Sequence, residues 1–328
     1  MRIVVTGGAG FIGSALCRTL VAERGATVLN LDKLTATSSL ASLTAIAQSP
    51  RYSFRKIDVC DREHVAAVLH AFAPDAIIHA AAERLPHARY GSAPAAIETN
   101  VLGTWRVLEA ARDYWSSLPA ARQAAFRFLS VSAAGRQLTP EAASRAGADE
   151  LVLAWHKSYG LPAIVSKAAA TFGPYQFPAE AIPSLVIAAC DGLAGDGKAT
   201  DPAAWLYLDD HVTALLAMLE RGVPGATYAP AGAGLLAQDR LAARIAELMS
   251  RHGRERPAFA MATSSAQVTI PVEGGSTCLS QHIGWRPQET AETALSKTVR
   301  WYLANEGWWR PLAAAQVADN RFGLLKIA

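Results

Sequence analysis

The chain opens with the feature that constrains it most. An apolar strand, Arg2-Ile3-Val4-Val5, runs directly into Thr6-Gly7-Gly8-Ala9-Gly10-Phe11-Ile12-Gly13. Residues 14–24 follow with Leu16, Leu20 and Val21 at helical spacing. Gly8, Gly10 and Gly13 form GxGxxG, a pattern that means little by itself in a chain with 24 glycines. Between a strand and a helix it has a mechanical reading. Gly8 permits a tight turn, Gly10 lets the backbone approach a pyrophosphate, and Gly13 allows the helix to pack closely. The first helical N–H groups then face a phosphate with the positive end of the helix dipole, and Gly7, Phe11 and Ile12 join the glycines in the cofactor site.

A second strand, expected at 27–31, ends at Asp32. That is about 20 residues beyond the turn, where a carboxylate holds the hydroxyls of an adenosine ribose. A carboxylate there repels the extra phosphate of NADP, so the reading is NAD. The neighbouring cation Lys33 works against that discrimination. Asp58, after a third strand at 52–57, is a candidate for the adenine amino group.

Further strands are expected at 76–79, 126–131 and 163–166, alternating with helices at 63–72, 101–114 and 141–159. Such alternation predicts a mainly parallel sheet with helices on both faces. Beyond Gly173-Pro174 the texture changes. Helices at 182–190 and 210–220, with short strands near 205–207 and 226–228, suggest a smaller substrate lobe.

The charge balance is 31 Lys and Arg against 28 Asp and Glu, dispersed without a long block of one sign. It gives nucleic-acid binding no support. Cys17, Cys60, Cys190 and Cys278 lack ligand spacing and read as reduced core residues, with no metal site. No apolar run reaches the roughly 18 residues of a membrane span. Met1 leads straight into a strand with no signal peptide ahead of it, so a cytoplasmic protein is expected.

Several stretches, in order, resemble the extended short-chain dehydrogenase/reductases, the NAD-dependent epimerase/dehydratase family, and within it the dTDP-glucose 4,6-dehydratase group. They include the glycine turn, Asp58-Val59-Cys60-Asp61, His79-Ala80-Ala81-Ala82-Glu83 and Glu98-Thr99-Asn100-Val101-Leu102-Gly103-Thr104. Phe172-Gly173-Pro174-Tyr175-Gln176-Phe177-Pro178, Trp205-Leu206-Tyr207-Leu208-Asp209-Asp210-His211 and Gly284-Trp285-Arg286-Pro287 continue the series. The resemblance implies a Rossmann-type doubly wound parallel sheet with a smaller C-terminal α/β substrate lobe. The expected division is an NAD-binding domain over 1–175, a substrate lobe interleaved with its sheet over 176–311, and a tail over 312–328. It also implies that Val59, Ala80, Ala81, Ala82 and Asn100 join Asp32, Lys33 and Asp58 around NAD, with a nucleotide sugar as the partner ligand. Long helices at 101–114 and 141–159 imply a homodimer, or a heterodimer with an active paralogue.

The same alignment departs from the family where chemistry is done. Glu141 falls at the position of the family's Tyr, the base as NAD oxidises the sugar, and Arg145 at that of the Lys that lowers the Tyr's pKa. The Thr-Asp-Glu run that eliminates water is Ala133-Ala134-Gly135, after a Ser132 that keeps its place. Cations expected to clamp the substrate phosphates are missing around Ala179, around Ala203-Ala204 and in 265–270. Tyr52 and Lys56 repeat the Tyr-x-x-x-Lys spacing, but on a strand. Glu141 and Arg145 lie one turn apart, where an ion pair accounts for both. Glu83 and His87 share the loop after the fourth strand, and Lys167 stands at a strand end, able to meet a phosphate or a carboxylate.

Two readings follow. One is an NAD-binding, dehydratase-like protein of nucleotide-sugar metabolism that lacks dehydratase activity. The other is an active enzyme with changed chemistry, drawing on Glu141, Arg145, Ser132, Glu83 or His87.

Overall fold

Alternation along the strands and apolar stripes along the helices set the architecture. In the computed structural model the described residues are 1–83, 93–134, 139–192, 203–232, 235–236, 238–253 and 276–324. In chain order the strands are β1 (Arg2–Thr6), β2 (Thr27–Asp32), β3 (Tyr52–Lys56), β4 (Ala76–His79) and β5 (Arg127–Ala133). They continue with β6 (Ala163–Ala168), β7 (Ala170–Phe172), β8 (Ala203–Tyr207), β9 (Thr227–Tyr228) and β10 (Leu235–Leu236). The helices begin with α1 (Phe11–Ala22), α2 (Arg62–Phe72), α3 (Ala93–Ala96), α4 (Thr104–Ser116), α5 (Ala120–Ala125) and α6 (Pro140–Tyr159). After them come α7 (Ala181–Cys190), α8 (Leu208–Arg221), α9 (Gln238–Arg251), α10 (Ser276–His282), α11 (Ala291–Ala304) and α12 (Glu306–Leu324).

The chain divides into two compact units. The first is Met1–Ala169 with Asp209–Ala231 and Val272–Arg286, and the second is Ala170–Leu208 with Gly232–Pro271 and Pro287–Ala328. The first unit holds a seven-stranded sheet of order β3-β2-β1-β4-β5-β6-β9, with every neighbouring pair parallel. Val4, Leu29, Leu31, Ile77, Phe128 and Val165 meet α2, α4 and α6 on one face. The alternate residues Ile3, Val5, Val28, Ile78, Leu129 and Ile164 are buried as well. A strand buried on both faces reads as a continuous apolar run, which the sequence shows. This is the Rossmann-type doubly wound sheet that the alternation of elements predicts.

Three local differences stand out. The first three residues of the helix expected at 101–114 belong instead to a π-helical stretch, Ile97–Gly103, and α4 begins at Thr104. The short helix α5 went unread, because six residues are too few for a periodic signal. The strand near 226–228, expected in the smaller lobe, instead pairs with β6 as an edge of the large sheet. Its two residues follow α8, a crossover that returns the chain parallel to β6.

In the first unit, Trp285 donates from Nε1 to Thr213 Oγ1 at 3.0 Å and Arg221 donates from Nε to the Ile283 carbonyl at 2.9 Å, tying 283–285 to α8. The second unit carries a three-stranded sheet of order β10-β8-β7. Its core joins Phe172, Val186, Ile245, Leu295, Tyr302 and Trp309. Trp309 is buried and donates from its indole N–H to the Tyr302 carbonyl at 2.8 Å, so it is a packing residue. No helix among the described residues is long and apolar enough to cross a membrane.

Candidate functional site

The glycine turn closes as the spacing requires. Gly7 sits at φ +70°, and a Cβ on it would lie 2.6 Å from the backbone of Ala81 in the loop after β4. A Cβ on Gly13 would lie 2.1 Å from the Gly7 carbonyl oxygen. Real Cβ atoms do not make such contacts, so both positions demand glycine. Gly10 is the N-cap of α1, without a side-chain cap or an acidic residue in the first turn. The first helical amides, at Phe11, Ile12 and Gly13, therefore lack the intrahelical partners that later turns have. A cradle of this shape, lined by backbone N–H, fits a pyrophosphate. Gly8 lies over the buried Asn30, whose Nδ2 donates to the Tyr52 hydroxyl at 2.9 Å. That contact explains Tyr52 as part of the β2–β3 pairing.

Asp32 ends β2 with both carboxylate oxygens anchored. Oδ2 accepts the Ala9 N–H at 3.0 Å and Oδ1 the Leu34 N–H at 2.8 Å. Burial pushes this carboxyl above its ordinary range, against the pull of those two amides and of Lys33. Four lone-pair sites less two leave acceptors for a ribose. Lys33 is held by the protein: its ammonium donates to Thr99 Oγ1 at 2.8 Å and lies 3.4 Å from Glu83 and 3.7 Å from Asp58. Burial opposes its charge, but Asp58 and Glu83 outweigh that and hold it above the usual lysine range. The cation that seemed to favour a 2′-phosphate is thus neutralised from within. Asp58 also accepts the Cys60 N–H at 3.0 Å and borders an open hollow of 460 Å³ with Cys60, Arg62 and Arg106.

Beneath the turn runs a chain the sequence did not disclose. Ala81 N–H donates to Thr6 Oγ1 at 3.2 Å, and the same hydroxyl is hydrogen-bonded to His79 Nδ1 at 2.7 Å. His79 Nε2 is hydrogen-bonded in turn to Thr104 Oγ1 at 3.0 Å. Burial lowers the His79 pKa to about 4, so the ring is a neutral bridge between β1, β4 and α4. Ala80 and Ala81 are half-buried beside Gly7, Ala82 is exposed, and Val59 is buried against Gly103. Asn100, in the π-helical turn, accepts the Glu83 N–H at 2.7 Å and donates to the Glu83 carbonyl at 3.2 Å and to Ser144 Oγ at 2.9 Å. Its amide pins the Glu83 backbone, so Glu83 faces Lys33.

The other end of the sheet's carboxyl edge is arranged differently. Thr139 caps α6, and one turn in, Arg145 Nε donates to Glu141 Oε1 at 3.2 Å. Both side chains are about three-quarters buried or more. Ser132, near the end of β5, donates to Asp149 Oδ2 at 3.2 Å, and Lys167 of β6 lies 3.3 Å from the same oxygen. Asp149 was missed. Burial raises its carboxyl, countered by Lys167, Ser132 and Arg145. Its spacing of four from Arg145 and eight from Glu141 on one helix was a usable signal.

His87, the Arg84 to Ala88 loop, Gly135 and residues 265–270 lie outside the described residues, and so do the side chains of Ala203 and Ala204. Cys17 is a buried free thiol, whereas Cys60 and Cys190 are only half-buried, short of the core placement expected from the sequence. No cluster of ligating side chains among the described residues has metal-binding form.

The model of the NAD dependent epimerase/dehydratase family matches residues 3–229. The chain belongs to that family. Among its relatives, dTDP-glucose 4,6-dehydratase from Neisseria meningitidis serogroup B is 36% identical, covering 98% of this chain and 99% of its own length. The alignment runs over 354 residues, longer than this chain, so it contains gaps. The probable dTDP-glucose 4,6-dehydratase of Sinorhizobium fredii is 36% identical over the full length of both. Among solved structures, dTDP-glucose 4,6-dehydratase from Bacillus anthracis in complex with NAD has a TM-score of 0.80 at 28% identity, covering 95% of this chain and 99% of that one. A double mutant of the Streptomyces venezuelae enzyme, with NAD bound, has a TM-score of 0.81 at 30% identity, covering 95% and 100%. Membership in the family and the doubly wound fold agree with the resemblance read from the sequence.

Proposed function

We propose that this protein binds NAD through its first unit and serves nucleotide-sugar metabolism as a dTDP-glucose 4,6-dehydratase-like protein that does not carry out the dehydratase reaction. The observation that carries the second half is the Glu141–Arg145 ion pair, with Nε and Oε1 3.2 Å apart. These two residues stand where the resemblance puts a phenolic base and its lysine. A carboxylate held by a guanidinium is an acceptor only and has no hydroxyl proton of its own, so it does not reproduce a phenol that both donates and accepts. Ala133 and Ala134, at the end of β5, have no group able to give or take a proton. Elimination of water from a sugar has no acid in that stretch.

Support for the cofactor comes from the cradle itself. Gly7, Gly8, Gly10 and Gly13, with the amides of Phe11 and Ile12, would hold the pyrophosphate, and Asp32 the adenosine ribose. Asp58 and Val59 would flank the adenine, while Ala80, Ala81 and Ala82 offer a small-residue wall. NAD, when bound, supplies a hydride acceptor. The neutralised Lys33 favours NAD over NADP. Homologues solved with NAD point the same way.

Isothermal titration should show NAD binding with NADP much weaker, and incubation with dTDP-glucose should release no 4-keto-6-deoxy sugar. Formation of that product would sink the reading of Glu141 and Arg145. A second reading, an enzyme with altered chemistry, is favoured by the hydrogen-bonded Ser132 hydroxyl, and an unexplained turnover lost in Ser132→Ala would establish it. A homodimer is part of the proposal: Ile97, Leu102 and Tyr159 are about half exposed, on the π-helical segment before α4 and on α6. A monomer in sedimentation would count against it.

A further inference from the structure

Lys167 stands directly across the parallel ladder from Ser132, as its Cα partner. Both side chains therefore leave the sheet on one face. Asp149 meets them there from α6, and its single oxygen Oδ2 receives the serine hydroxyl at 3.2 Å and the ammonium at 3.3 Å.

That shared oxygen fixes what the two groups present to anything else. Ser132, itself buried at 6% exposed, owns one proton and Asp149 accepts it, so what the serine oxygen has left is acceptor lone pairs. Lys167 owns three N–H bonds, of which the carboxylate uses one. No further partner of Lys167 is recorded among the described residues. The Asp149 side chain is 3% exposed and that of Lys167 35%, so the carboxylate is sealed behind and the donor stands at the open side. An acceptor and a donor are thus fixed side by side at the carboxyl edge of the sheet, where ligands of such folds bind.

A hydroxyl group, which gives one hydrogen bond and takes another, matches that couple. A phosphate does not, because Asp149 already cancels the lysine charge and the serine oxygen offers only lone pairs. Fold stability alone is a weak reason for the cluster: apolar replacements of a buried ion pair are often neutral or stabilising. The strand end around it is otherwise small, Ala168-Ala169-Ala170.

We propose that Ser132 and Lys167, oriented by Asp149, bind a sugar hydroxyl of the ligand at the ends of β5 and β6. The inference rests on the cofactor reading above. The hydroxyl comes either from the ribose of NAD distal to adenine or from the hexose of a nucleotide sugar. Ser132 and Lys167 are contact residues, and Asp149 is a positioning residue.

The test is isothermal titration of the full-length wild type and Lys167→Met with ADP, ADP-ribose, NAD and dTDP-glucose. ADP carries only the adenosine ribose and reports on the glycine turn. In Lys167→Met, ADP affinity should stay within about twofold, while affinity for a ligand bearing the second sugar falls about tenfold or more. A loss confined to ADP-ribose and NAD assigns the cofactor ribose, and one confined to dTDP-glucose assigns the hexose. Lys167→Arg should restore most of the loss, since a guanidinium keeps the donors. Asp149→Asn should lower the same affinities and leave ADP alone, an asymmetry that a purely structural pair would not produce. Unchanged affinities in Lys167→Met, or an equal loss for ADP, overturn the inference while leaving the cofactor reading intact. A wild type that binds no ADP overturns the cofactor reading, and this inference with it.

Discussion

The two ends of the first unit's carboxyl edge solve opposite problems. At the glycine turn, the backbone supplies the binding groups and the side chains keep out of the way. Gly7 and Gly13 have no room for a Cβ, and Asp32 is braced by amides that leave it lone pairs. At β5, β6 and α6 the side chains supply everything, and they satisfy one another: Glu141 with Arg145, Asp149 with Ser132 and Lys167. The contrast teaches that a site made of backbone persists for as long as the fold does. A site made of side chains is rewritten by a few substitutions that leave the fold alone.

The comparison breaks first at the turn. Gly13→Ala places a methyl 2.1 Å from a carbonyl oxygen and should abolish NAD binding. It should also cost about 3–5 kcal/mol of stability, read by urea denaturation. A variant that still binds NAD would show that the turn yields more than its geometry implies.

Acid probes the same end from below. His79 titrates near 4 in the fold against 6.5 when unfolded. The unfolded chain therefore takes up the proton first, and stability present above pH 6.5 is lost as pH falls toward 4. For this one group the loss amounts to about 3 kcal/mol. His211, likewise buried and lowered to about 3, adds a second such slope. Denaturation curves between pH 7 and 4 should flatten in part in His79→Gln, and an unchanged slope would remove His79 from the account.

Lys167→Met tests the side-chain end. It strips the cation from a buried carboxylate and should cost about 1–2 kcal/mol at pH 7, less than for a fully enclosed pair because the lysine is partly exposed. Asp149 already titrates above 3.8, and losing Lys167 raises it further. Relative to wild type, the deficit should then shrink as pH falls toward 4 and Asp149 takes up a proton. A deficit independent of pH would show that Lys167 acts by packing. The smallest effect belongs to Glu141→Gln, which removes a single i,i+4 pair. Gln keeps an acceptor for Arg145, so even with both side chains about three-quarters buried or more it should cost only about 1 kcal/mol and leave NAD affinity unaltered. A tenfold change in binding would return Glu141 to the functional site.

What the sequence discloses follows the same division. The turn and Asp32 are legible because a strand, three glycines and a helix leave the backbone one way to close, and the next strand ends where the carboxylate is needed. The parallel sheet with helices on both faces is legible from the apolar runs and the helices between them, whereas the place of β9 at its edge is not. The Ser132–Asp149–Lys167 cluster is not legible that way, because it depends on the register of β5 against β6 and on which face α6 turns to them. The role of His79 also required three dimensions, since Thr6 and Thr104 are distant in sequence and adjacent only across β1, β4 and α4. The π-helical turn around Asn100 left no mark in the apolar period, yet it is what brings that amide to both Glu83 and Ser144.

Lys33 carries a consequence of its own. By gripping Asp58, Glu83 and Thr99 it fastens together the loops that follow β2, β3 and β4, and with them the turn before α4. The starts of three loops are thereby tied to one cation, and part of their ordering entropy is already lost before a ligand arrives. The mark of Lys33 is therefore to be sought in residence time, with the rate of arrival little changed.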